Sequence, residues 1–242
     1  MNNILVTAAN AKYFNSLLTL IASIHRESFD LVDHIFVFDL GLDPEERKRL
    51  SKLSKVSVVD FPKDLNVNPK DYAFKCYAIH WGKDHGNNIF WLDAGAMALK
   101  PINKIFEIIE EEGIFLVGDT HRNYNFTHDK CREIMQATDS EMADNQLSAG
   151  ILGYQSNGPF QSLINDAYEY SKIQECIGGD SQNHRQDQSI YSILASRYGC
   201  NKQDIDMYGY WTDSSRNLNK AREIGSTIFV HRNGHWDFNG LR

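Results

Sequence analysis

The sequence predicts an α/β protein built on a mostly parallel central sheet with helices on both faces. Three observations carry this reading. Strand-length runs such as NILVTAA (3–9), HIFVFDL (34–40), IFWLD (89–93) and IFLVGD (114–119) are almost continuously apolar, the pattern of strands covered on both faces. Segments with apolar residues at helical spacing separate them. Two of those segments open at a proline, Pro44 and Pro101, and the second stops at Gly113, as helices do.

In chain order, residues 3–9 form a first strand. Phe14, Leu17, Leu18, Ile21 and Ile24 then give one apolar stripe over 14–24. A second strand covers 34–40. Asp43, Pro44, Glu45 and Glu46 supply a capping side chain, a proline at the first helical position and acids in the first turn of a helix running to about Leu53. Residues 55–61 are a third strand, 69–86 a helix closed by glycine, 89–93 a fourth strand, 101–113 a helix and 114–119 a fifth strand. The later part is less regular: a polar loop at 119–129, a strand over 147–155, helices near 159–174 and 187–198, and a last strand within 226–238. With no repeat or linker, 1–242 reads as one domain, in which 1–120 and 121–242 are sub-lobes only.

Composition excludes several classes. The 25 Lys and Arg against 32 Asp and Glu leave a net charge of -7, so nucleic acid is not an expected partner. The apolar stretch LLTLIASI (17–24) is far short of the roughly 20 residues that span a bilayer. No secretory leader is recognisable in MNNILVTAAN, and the expected location is cytoplasmic. Cys76, Cys131, Cys176 and Cys200 lack the close pairing of a zinc site or disulfide framework and read as core thiols.

In open α/β sheets ligands bind beyond the carboxyl ends of the strands, which directs attention to Thr7, Asp39, Asp93 and Asp119. From the residues alone Asp93 has two readings. It binds a sugar hydroxyl or a divalent cation, or it caps a turn.

The succession IFWLDAGAMALKPI, LSAGILGY, RQDQSIYSIL and TIFVHRNGHW resembles the GT-A glycosyltransferases, especially glycogenin-type and related capsule or lipopolysaccharide sugar transferases. The resemblance spans most of the chain, with its motifs in the family's order. It implies transfer of a sugar from a nucleotide-sugar donor, a UDP-sugar first, to a glycan or other hydroxyl acceptor, with Mn²⁺ or Mg²⁺ as cofactor. Carried over position by position, it makes Thr7 and Ala8 a nucleotide-contacting strand end and Lys75 a cation facing the donor phosphates. Asp93 becomes the first acid of an Asp-x-Asp signature, and Ser148, Ala149 and Gly150 match the small-residue turn under the transferred sugar. The likeness makes 1–120 a nucleotide-binding half and 121–242 an acceptor half. Asp187 and Gln188 become the catalytic pair, and His231, with Asp93, a metal ligand. Outside the family likeness, Lys75 reads equally as a solvated helix lysine and Asp187 as a helix N-cap. One departure stands out: Gly95 occupies the second acidic position and offers no side-chain oxygen. Two versions remain open, a cation held by Asp93 and His231 with donor phosphates, or a site that relies on cationic side chains. A non-catalytic sugar- or nucleotide-binding relative is the alternative function. For Gly95 itself, the readings are close backbone passage of a ligand or a simple turn.

Overall fold

A computed structural model describes residues 2–63, 65, 71–180 and 182–242. It has the expected α/β architecture. Nine strands occur among these residues: β1 Asn3–Ala9, β2 His34–Asp39, β3 Val56–Val59, β4 Asn88–Leu92, β5 Ala96–Ala98, β6 Ile114–Arg122, β7 Asn145–Gln155, β8 Tyr210–Trp211 and β9 Ile228–Val230. Six make the main sheet in the order β3-β2-β1-β4-β7-β6, and β5-β9-β8 make a small second sheet. The pairs β3/β2, β2/β1 and β1/β4 are parallel, whereas β7 is antiparallel to both β4 and β6. Five strands of the main sheet therefore run one way and β7 runs against them.

The continuous apolar runs are explained by burial on two sides. Along β4, Ile89 and Trp91 join one core while Phe90 and Leu92 join the other, the two-residue alternation of a strand. Along β1, Ile4, Val6 and Ala8 face the first core, Leu5 and Ala9 the second. The helix Phe14–Ser28 packs Leu17, Leu18, Ile21 and Ile24 into the second core. The helix Ala73–Gly82 places Phe74, Cys76, Ala78 and Ile79 in the first.

Element ends differ from the sequence reading for local reasons. The helix expected over 69–86 spans Ala73–Gly82, because Tyr72 adopts a left-handed conformation (φ 60°) immediately before it; Pro69 and Lys70 lie outside the described residues. The helix expected to reach Leu53 is Pro44–Leu50, opened by a reciprocal capping pair between Asp43 and Glu46. The helix expected over 101–113 is Asn103–Glu112, closed by Gly113 at φ 80°. Part of the expected loop at 119–129 is instead strand and helix, since β6 continues to Arg122 and a short helix covers Asn123–Phe126. The last strand is only Ile228–Val230.

Two features position the site. First, β7 from the later part of the chain lies between β4 and β6, so the expected halves interleave in one sheet. Second, the small sheet couples β5, just past Asp93, to β9, just before His231. Among the described residues no helix is long and apolar enough to cross a membrane.

Candidate functional site

Asp93 follows β4 on the face of Ile89 and Trp91, by the same two-residue alternation. The Trp91 indole Nε1 donates to Asp93 Oδ1 at 2.8 Å, so a core aromatic also orients the carboxylate. The Asp93 backbone N–H donates to the Gly150 carbonyl at 2.9 Å. A Cβ on Gly150 would stand 2.9 Å from Asp93 Oδ2; glycine there makes room for the carboxylate.

Lys75 reaches the same point from the helix Ala73–Gly82. Its ammonium lies 3.1 Å from Asp93 Oδ1 and 3.0 Å from Asp187 Oδ2, and 3.4 Å from the Ala149 carbonyl. The ammonium donates to Asp93 Oδ2 at 3.5 Å and to the Ala149 carbonyl, while Asp187 holds it as an ion pair. Lys75 and Asp187 are each 4% exposed, whereas the Asp93 side chain is 41% exposed. Burial acts to lower the Lys75 pKa, but Asp187 and Asp93 together outweigh it and hold it above the ordinary lysine value. Burial raises Asp187 to about 6, against the pull of Lys75 and with the help of Asp93. The cluster is thus one cation between two carboxylates, of which only Asp93 meets solvent to any extent.

Asp93 opens onto a cleft of about 660 Å³ beyond the strand ends. Ala8 and Ala9 line it from the end of β1, Asn10, Lys12 and Tyr13 from just beyond it, Leu40 after β2, and Asp93 to Gly95 after β4. Tyr72 and Arg232 complete its polar and aromatic wall. Its volume falls in the small-molecule range of about 300–1,000 Å³. A depression of about 340 Å³ over Asp129, Arg132 and Glu133 contains none of the candidate residues.

The other predicted positions divide. Ala8, Lys75, Asp93 and Gly95 line the cleft; Thr7 does not. Its side chain is fully buried, with Oγ1 unpartnered among the described residues. Ser148 and Gly150 are half-buried on β7, Gly150 touching Asp93 as above. Asp187 is not the N-cap of its helix: Arg185 holds that position, and Gln186 enters the helix Gln186–Arg197 at φ 43°. Gln188 points elsewhere. Its Nε2 donates to Gln146 Oε1 at 3.1 Å and to Asp119 Oδ2 at 3.5 Å, within a network that includes the Arg185–Asp119 ion pair at 3.1 Å. Adjacent helix residues project about 100° apart, so the Asp-Gln pair serves two clusters.

Gly95 lies in a turn and lines the cleft, as both sequence readings allow, and it also packs against a distant stretch of backbone. A Cβ there would stand 2.4 Å from the Arg232 carbonyl oxygen and 2.7 Å from its Cα. The Gly95 carbonyl accepts from both His231 and Arg232 backbone N–H groups at 2.8 Å. Glycine is required by this close backbone packing, and a carboxylate side chain has no space at position 95.

His231 is 2% exposed and is not among the cleft-lining residues. Neither ring nitrogen has a hydrogen-bond partner among the described residues; burial lowers its pKa to about 4. Among the described residues no group of three His, Cys, Asp or Glu could hold a metal ion. With position 95 filled by backbone and Asp93 paired to Lys75, the side chains present do not fit a protein-built site of three metal donors.

Sequence reasoning missed Asn10, Lys12, Tyr13, Tyr72 and Arg232. Asn10, Lys12 and Tyr13 lie within four residues of the end of β1 and Arg232 two residues past β9, which was the available signal; Tyr72 precedes a helix and had none. Two aromatic residues of the later chain have opposite settings: Tyr210 is buried under the Arg216 guanidinium at 3.8 Å, whereas Trp236 is exposed.

No family model and no curated protein sequence matches the chain. Solved structures do. The bifunctional glycosyltransferase WbbM is similar over 97% of this chain and 46% of its own, with 11% identity and a TM-score of 0.64; this chain spans about half of WbbM. The galactosyltransferase LgtC, in complex with donor and acceptor sugar analogues, is similar over 96% of this chain and 88% of its own, with 13% identity and a TM-score of 0.60. An active-site mutant of LgtC gives 12% identity and a TM-score of 0.58 over the same shares. At such identities a likeness of structure speaks for architecture, and the chain has the α/β fold of these glycosyltransferases, of GT-A type.

Proposed function

We propose that the protein is a glycosyltransferase that moves a sugar from a nucleotide-sugar donor, a UDP-sugar first, to the hydroxyl of a glycan or other acceptor. The observation that carries this reading is the partly exposed Asp93 at the mouth of β4, held by Trp91 and Lys75 and facing a cleft of about 660 Å³. The LgtC structure contains donor and acceptor sugar analogues, and the shared fold supports placing the donor at the same strand ends here.

In this reading Asp93 accepts hydrogen bonds from donor hydroxyls, and Tyr13 and Tyr72 offer ring surface to the base or sugar. During transfer the bond between the anomeric carbon and the diphosphate oxygen breaks, its electron pair staying with the diphosphate. The acceptor oxygen bonds to that carbon, and its proton passes to the departing diphosphate oxygen, from which it exchanges with solvent. Lys75 fixes the Asp93 carboxylate, and Asp187, buried behind it, fixes Lys75. That burial supports electrostatic and positional work for Asp187 in place of direct proton removal from the acceptor. Gln188, bonded toward Asp119 and Gln146, holds a wall next to this cluster.

The test is a panel of nucleotide sugars, with and without Mn²⁺, read by donor hydrolysis and calorimetric binding. We expect at least one donor to bind and turn over, and Asp93→Ala to reduce turnover by about 10²–10³-fold, the scale of losing one well-placed polar contact in a transition state. Absence of binding by every nucleotide and nucleotide sugar sinks the proposal.

A specific observation favours a second reading, a sugar- or nucleotide-binding relative without turnover: position 95 has no room for the second acid of the signature. Affinity for a donor without hydrolysis or transfer in the unmutated protein selects it.

A further inference from the structure

We infer that Arg232 contacts and neutralises the donor diphosphate in this chain, making donor binding independent of a divalent cation. The inference rests on the nucleotide-sugar reading of the cleft.

The argument begins with the cations available. Lys75 lines the cleft, but its ammonium already meets Asp93, Asp187 and Ala149. Arg232 lines the same cleft, is exposed, and its side chain has no hydrogen-bond or ion-pair partner among the described residues. Lys12, also exposed and lining the cleft, has its ammonium 5.2 Å from the centre of the Tyr13 ring and is likewise without an ion pair among those residues. Lys75 and the two acids leave one formal negative charge, to which a diphosphate adds more. Arg232 and Lys12 are the cleft cations left to offset it.

The backbone is built to hold Arg232 there. It adopts a left-handed conformation at φ 59°, uncommon for a residue with a side chain and frequent at functional sites. The Gly95 carbonyl fixes it through the two 2.8 Å bonds from His231 and Arg232, and the missing Cβ of Gly95 permits the approach. The substitution that removes an acid from the signature is thus the one that seats an arginine backbone against it. A guanidinium offers a planar fork of N–H donors that matches two phosphate oxygens.

The experiment measures binding of UDP, GDP and CDP, and of the corresponding nucleosides, by calorimetry in EDTA and then in Mn²⁺. We expect a diphosphate to bind in EDTA with affinity within about threefold of that in Mn²⁺, a difference of about 0.7 kcal/mol or less. Arg232→Gly, which suits the backbone angle, should weaken that diphosphate by about tenfold or more and leave the nucleoside unchanged; Arg232→Lys should recover part of the loss. Near-UV circular dichroism checks folding, with Arg232→Gln replacing the glycine variant if that variant is misfolded. A strict requirement for Mn²⁺, no effect of removing the charge, or equal loss of nucleoside and diphosphate each overturns the inference. Failure of every probe in both conditions rejects the donor-site reading beneath it, a result distinct from diphosphate binding that ignores Arg232.

Discussion

Asp39 and Asp93 end neighbouring parts of the same sheet after similar apolar runs, yet they do different things. Asp39 Oδ1 accepts from the backbone N–H groups of Gly41 and Leu42, both at 2.7 Å, and Oδ2 pairs with Arg47. It is a turn cap, with its oxygens committed to its own loop. Asp93 takes its partners from three elements, two of them distant in the chain: Trp91 on its own strand, Lys75 on the helix Ala73–Gly82, and the Gly150 backbone on β7. The contrast teaches that a strand-end acid becomes a site when other elements converge on it. Position at the sheet edge is not sufficient.

The largest break in this contrast should come from Lys75→Ala, which leaves Asp93 and Asp187 facing each other with Asp187 buried. Loss of one partner from a buried ion pair costs about 3–5 kcal/mol; a urea melt should show it, with turnover lost as well. Gly150→Ala is next. The added methyl would stand 2.9 Å from Asp93 Oδ2 and should displace the carboxylate, with a stability loss of about 1–3 kcal/mol and a proportionally greater fall in kcat/KM. Acidity sharpens the comparison further. Asp187 is raised from 3.8 to about 6, so its contribution to stability is fully present below 3.8 and is lost as pH rises through about 6. Turnover in the proposed reaction should run the opposite way, because only the ionised form holds Lys75 from behind. The kcat/KM profile should rise through pH about 6, and Asp187→Asn should flatten that limb. Arg47→Ala at the other strand end should be smallest, below about 1 kcal/mol for a solvent-accessible pair, with unchanged turnover.

The parts of the fold legible in sequence were those with long local signals. Buried strands announced themselves as apolar runs, and Pro44, Gly113 and the helical stripe of residues 14–24 marked real helices. The position of β7 between β4 and β6 was not legible, because strand pairing between residues far apart leaves no local mark. β5 and β8, of three and two residues, are too short to show a period. At the site, Asp93, Lys75 and Asp187 were readable one at a time; their meeting on one ammonium was not. The Asp-Gln pair looked like one functional unit, but helix geometry sends its side chains to different neighbours. Gly95 was legible as a departure from the resembled signature, while the backbone it packs against lies some 137 residues later, at Arg232.

The placement of β7 also bears on how the chain is assembled. During synthesis β4 emerges with β1 ready to pair on one side, but its other edge and the edge of β6 wait for residues 145–155. Until then the nascent protein carries two unsatisfied strand borders flanked by bulky apolar side chains, a state prone to pairing with other chains. A ribosome pause or truncation before residue 145 should therefore favour aggregation, and one beyond residue 155 should relieve it.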